Sequence, residues 1–94
     1  MVDKIMTLHP AGKQGTNISL AKYETMKSEI INTLQQHQTM TFTELTNTIN
    51  QNLDGKFDGS ISWYAVTVKL DLEARGVLER IAKTKPEQIR LVTA

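Results

Sequence analysis

The 94-residue chain contains no cysteine. That excludes disulfides, thiol catalysis and any zinc site built on cysteine, and it fits a reducing compartment. No apolar run approaches the ~20 residues that cross a bilayer. The opening MVDKIMTLHP carries Asp3 early and lacks the apolar core of a signal peptide, so a cytoplasmic protein with no membrane partner is expected. A cationic excess is missing too: eleven basic residues against ten acidic ones leave a net charge of +1. Nucleic-acid affinity comes largely from neutralised phosphates, so any such binding has to rest on local charge. Residues 19–60 hold three lysines against five acids, and residues 61–94 six basic residues against four acids, so only the C-terminal third is mildly basic.

Histidine is scarce as well. His9 stands beside a proline and His37 among glutamines, and neither has a metal-ligand spacing or a neighbouring nucleophile. Both read as solvated surface. Asp54, Asp58, Asp71 and Glu73 give no general-acid pair, because nothing in the sequence indicates a buried carboxylate among them. Gly12-Lys13-Gln14-Gly15-Thr16 lacks the upstream glycine and the Lys-Ser/Thr step of a phosphate loop. DGKFDG lacks the ligand series and terminal glutamate of a calcium loop, and reads as a turn with Phe57 tucked into the core. The sequon Asn17-Ile18-Ser19 carries no meaning in a cytosolic chain. No catalytic residue, cofactor or metal is therefore expected.

What is present is a single domain of modest core, since a chain this short buries only about 60–65% of its unfolded surface. Residues 1–18 read as an extended arm with apolar Ile5, Met6 and Leu8, then His9-Pro10 and a glycine-containing loop. A first helix is expected from about Ser19 to Gln36. Ser19 suits its N-cap, Ile18 can staple onto Tyr23, and Leu20, Tyr23, Met26, Ile30 and Leu34 form one stripe. Thr41 and Glu44 have capping-box spacing for a second helix with Leu45, Ile49 and Leu53 on one face; Thr43 is a rival cap, and the preceding MTF could be a short strand. A third helix starts at Ser60 or Ser62 and ends at Arg75, with Gly76 as its C′ residue. VLERIA and QIRLV then form a hairpin with a lysine-rich tip around Pro86.

This order of arm, helix, short strand, helix, helix and two strands resembles the winged helix-turn-helix fold over residues 19–93. The most specific piece is LEARGVLER, which is similar to the common L-E-x-x-G-L-x-x-R junction of third helix and wing. Together with GKQGTNISLAKYETM and SWYAVTVKLDLEARG, the pattern resembles a family of small bacterial proteins known only as a domain of unknown function. The resemblance implies an α+β, mainly α domain over 19–94, made of three helices and a C-terminal β-hairpin wing, behind the arm of 1–18.

The third helix decides what such a fold could do. At about 100° per residue, Ile61, Tyr64, Ala65, Val68 and Leu72 share one arc facing the other helices. Trp63, Val66, Leu70 and Ala74 share a second. Two thin polar strips lie between, Ser62, Lys69 and Glu73 on one side, Thr67 and Asp71 on the other. A helix apolar on two sides is normally covered on both. The arm, a second copy of the chain or a partner protein could cover Trp63, Val66 and Leu70. Two functions follow as expectations. The first is DNA binding, as a small transcriptional regulator contacting phosphates of double-stranded DNA. Ser60 and Ser62 would act at the helix N-terminus, Thr67 and Lys69 along it, and Arg80, Lys83 and Lys85 in the wing. The second is a protein-interaction or dimerisation module on the same scaffold without DNA binding, using the Trp63, Val66 and Leu70 face.

Overall fold

The computed structural model describes residues 3–13, 15–81 and 87–92. It is an α+β domain of three helices and two small antiparallel sheets. Strands β1 (Lys4–Met6) and β2 (Asn17–Ser19) come first, followed by α1 (Leu20–His37), β3 (Thr39–Thr41) and α2 (Phe42–Leu53). Then come α3 (Ile61–Ala74), β4 (Leu78–Ile81) and β5 (Gln88–Leu91).

Local chemistry sets the boundaries. The Ser19 hydroxyl accepts from the Lys22 amide and starts α1. At Thr41 the capping box closes both ways: the Glu44 amide donates to the Thr41 hydroxyl at 3.1 Å, and the Thr41 amide donates to Glu44 Oε1 at 2.9 Å. Ser60 caps α3 through the Trp63 amide at 3.2 Å. The far end of α3 is a Schellman turn, with the Val77 amide on the Leu72 carbonyl and the Gly76 amide on that of Glu73. Gly76 takes φ +78° there, as its position after the helix predicts.

The helices pack their expected stripes together. Met26, Ile30 and Leu34 of α1, Leu45 and Ile49 of α2, and Ala65, Val68 and Leu72 of α3 are all buried. Burying each of the larger ones contributes roughly 1.5–3 kcal/mol. The C-terminal sheet runs β3-β5-β4, with Met40 opposite Ile89 and Arg80 also opposite Ile89, so β5 lies in the middle. Met40, Leu78 and Ile89 close the core from that side, and Phe57 packs against it half-buried. The lysine-rich tip of the hairpin lies outside the described residues.

The N-terminal segment departs from an extended arm. It folds back as a hairpin in which Ile5 pairs with Ile18. Ile18 is buried and Ile5 packs on the core, while Met6 points to solvent. The bend is tied off at Thr7, whose amide donates to the Thr16 carbonyl and whose hydroxyl accepts from the Thr16 amide at 2.8 Å. The Leu20 amide bonds the Asp3 carbonyl at 2.9 Å, which fixes the hairpin to the start of α1. Apolar alternation in KIMTL gave too few residues to show that the segment had its own partner strand.

Two glycines resist substitution for different reasons and to different degrees. A side chain on Gly76 would meet nothing, so Gly76→Ala should cost only the left-handed backbone penalty of about 1–2 kcal/mol. A Cβ on Gly15 would fall 1.7 Å from the Thr7 carbonyl oxygen, so Gly15→Ala has to open the hairpin. Urea denaturation should show Gly15→Ala as the more destabilised variant; equal losses would contradict the hairpin closure.

Candidate interaction face of the third helix

Each charged residue of α3 has an intrachain partner. Asp71, in the sequence one of four acids with no sign of a buried carboxylate, is 0% exposed. A buried carboxylate is tolerated only when its oxygens are hydrogen-bonded. Here Oδ1 accepts from the Leu8 amide at 2.8 Å and Oδ2 from the Tyr23 hydroxyl at 2.5 Å. The Arg75 Nε bridges both oxygens at 3.0 and 2.9 Å. The donors come from the N-terminal hairpin, α1 and the end of α3. Burial first, and the bond to Asp71 second, push the Tyr23 phenol up to about 12. The same carboxylate raises the Arg75 guanidinium above its ordinary value.

Lys69 is also turned inward, which corrects its expected role as an outward phosphate contact. It is 8% exposed, with Nζ 3.1 Å from Glu73 Oε1 and 5.3 Å above the Phe42 ring. Its long apolar stem explains this, since it can be buried while the ammonium keeps an anionic partner. Glu73 in turn receives Arg80, Nε on Oε1 at 2.9 Å and Nη2 on Oε2 at 3.2 Å. Burial alone would push the Glu73 carboxyl up; the bonds from Arg80 and Lys69 outweigh it and hold it below the usual range. Arg80 is exposed but engaged, with Glu87 also 3.5 Å from its Nε. Arg90 lies 3.5 Å from Glu79. Lys83 and Lys85 lie outside the described residues.

The remaining expected contacts divide. Ser60 is exposed, but its hydroxyl is occupied as the cap. Ser62 is exposed on the first turn. Thr67 is half-buried beside the N-terminal hairpin, where Thr7, Leu8, His9, Gly15 and Thr16 meet Thr67 and Leu70 around a cavity of about 90 Å³. The hairpin thus covers Leu70 in part. It does not reach over Trp63 and Val66, which remain 43% and 36% exposed. Met6 and Leu8 of the hairpin add 50% and 44% exposed side chains. The Trp63 ring packs edge-on to Tyr64 at 4.9 Å, and Tyr64 is edge-on to Phe57 at 5.1 Å.

A wider cleft of about 670 Å³ lies between the hairpin bend and β4, lined by His9, Pro10, Ala11, Glu73, Leu78, Glu79 and Arg80. The His9 Nδ1 accepts from the Ala11 amide at 3.0 Å, so it supports the bend. Among the described residues no group of three or more His, Asp or Glu could hold a metal, and no helix is long and apolar enough to cross a membrane.

Fold and face together define a small three-helix α+β domain whose third helix points an uncharged apolar stripe at solvent. The chain belongs to the family of unknown function DUF6958, which it matches over residues 4–89. No curated protein and no solved structure matches it.

The Asp71 cluster was the feature missed. Its signal was present: at about 100° per step Asp71 lies only about 20° from Tyr64, at the edge of the core arc, with Arg75 one turn on. The cluster has a pH signature. Because the folded state favours the neutral Tyr23 phenol, its contribution is complete below the ordinary value of 10.0 and is lost as pH rises toward about 12. Tyr23→Phe should cost about 1.5–3 kcal/mol at neutral pH, as for a bond to a charged partner. In urea titrations that deficit should shrink above pH 10; a constant deficit through that range would contradict the assignment.

Proposed function

We propose that this is a winged-helix scaffold working as a protein-interaction module through the outward stripe of α3, and not an enzyme. The winged-helix assignment is supported by the order helix, short strand, helix, helix, strand, strand, with the last strand inserted between the other two. One observation carries the functional reading. The exposed arc of α3 consists of Ser62, Trp63 and Val66, without a cation, while Lys69 and Arg80 are held by Glu73. A helix that reads the major groove needs the opposite, donors and positive charge on its free side. Exposed aromatic and aliphatic side chains on a rigid helix are the composition of interface centres.

Two measurements test it. Titration with mixed-sequence duplex DNA at stepped salt should give no salt-dependent association. Binding whose logarithm falls by about 0.9 per phosphate contact with the logarithm of salt, and which Lys83→Glu with Lys85→Glu abolishes, would favour the DNA reading instead. A photoreactive benzophenone side chain replacing Trp63 should crosslink to protein in cells, whereas the same group replacing Glu24 on α1 should not. Capture of DNA, or of nothing, from position 63 would overturn the proposal.

A further inference from the structure

We infer that Asp58 is a covalent modification site: its side-chain carboxyl acylates the Gly59 amide, turns this step of the chain into isoaspartate and disturbs the first turn of α3. The segment DGKFDG between α2 and α3 holds two Asp-Gly steps, Asp54-Gly55 and Asp58-Gly59. Glycine makes either step reactive, because with no Cβ its nitrogen can approach the preceding side chain. The glycine nitrogen bonds to the aspartate Cγ, the N–H proton leaves with the carboxyl hydroxyl as water, and a succinimide ring closes. Water then opens the ring. Cleavage between the nitrogen and Cγ restores aspartate. Cleavage between the nitrogen and the former main-chain carbonyl leaves the chain running through the side chain.

The two steps are held differently. Asp54 and Gly55 are the central residues of a type II turn, with φ −56° and ψ 123° at Asp54 and φ +72° at Gly55. The Lys56 amide closes that turn on the Leu53 carbonyl at 2.8 Å. At this ψ the Gly55 nitrogen is rotated away from the Asp54 side chain about the Cα–C bond, so the turn must open before the ring can form. Among the described residues no backbone hydrogen bond closes over Asp58 and Gly59. The Asp58 side chain is 100% exposed, and its ion pair with Lys22, 3.7 Å long and facing water, restrains it weakly. Gly59 is exposed as well, at φ +128°.

The product bears on α3. Ser60 follows directly and caps that helix through the Trp63 amide at 3.2 Å. Gly59 already lies close to Tyr64, since a Cβ built on it would stand 3.0 Å from that ring. Isoaspartate adds a methylene to the main chain just ahead of this contact and leaves a free carboxylate beside it. The Ser60 cap and the Tyr64 ring, which packs edge-on to Trp63, take up the added length. Trp63 is the one tryptophan, so its emission reports the change.

Trypsin separates the two steps for measurement, because cuts after Lys27, Lys56 and Lys69 leave Asp54 in residues 28–56 and Asp58 in residues 57–69. After incubation of the full chain in warm, mildly acidic buffer, peptide 57–69 should accumulate an isomer of unchanged mass. That isomer should accept methyl groups from S-adenosylmethionine through an isoaspartyl methyltransferase. It should form about fivefold faster than the isomer of peptide 28–56, the factor set by opening one backbone hydrogen bond. In urea the two rates should converge. Asp58→Glu, at an exposed position, should keep the helical circular dichroism and abolish the 57–69 isomer, because its longer side chain cannot close the same ring. The isomerised wild-type fraction should show shifted Trp63 emission. An Asp54 step as fast as Asp58 in the folded chain, no isomer in peptide 57–69, or an isomerised protein with unaltered Trp63 emission would overturn the inference.

Discussion

The Asp71 carboxylate is the constraint on which the arrangement turns. It is fully buried against a largely apolar core, and an unpaired charge there would be prohibitive. Its donors come from three places far apart in sequence: the Leu8 amide, the Tyr23 hydroxyl and the Arg75 guanidinium. Each of them lowers the cost of the buried charge, and loss of any one takes a donor from it. The N-terminal hairpin, α1 and the end of α3 therefore meet at one side chain.

That tie has consequences along the whole third helix. With Asp71 satisfied on one flank and Lys69 buried against Glu73 and Phe42 on the other, the charged residues of α3 are all held within the chain. The hairpin held at Leu8 lies beside Thr67 and Leu70. What stays free is the part of the helix that carries Ser62, Trp63 and Val66. An outward apolar stripe is thus a by-product of satisfying the helix's own polar groups within the chain. It is the ground on which we propose contact with protein over contact with phosphate.

The helices were legible in the sequence because their signals are local. The stripe of α1, the Thr41 and Glu44 box and Gly76 after α3 each act within a few residues, and the helices begin and end within about two residues of the expected places. The pairing of β1 with β2 was not legible, because three-residue strands carry too little alternation to name a partner. The fate of Lys69 and Asp71 was hidden for a different reason. A helical wheel gives direction but not what waits there, and Tyr23, Leu8, Phe42 and Arg80 reach these residues only through tertiary packing. The apolar character of Trp63, Val66 and Leu70 was plain in the sequence, whereas the partial cover of Leu70 alone needed the hairpin's position.

The claim that Asp71 fastens the hairpin to the helical body is tested most directly at the Leu8 amide. Native-state hydrogen exchange should find it protected nearly as well as the core amides of α1, although it lies just outside β1 beside an exposed bend. Exchange of the Leu8 amide as fast as that of Lys13 in the bend would contradict the account, since a hairpin held only by its own strands would leave that N–H open to water.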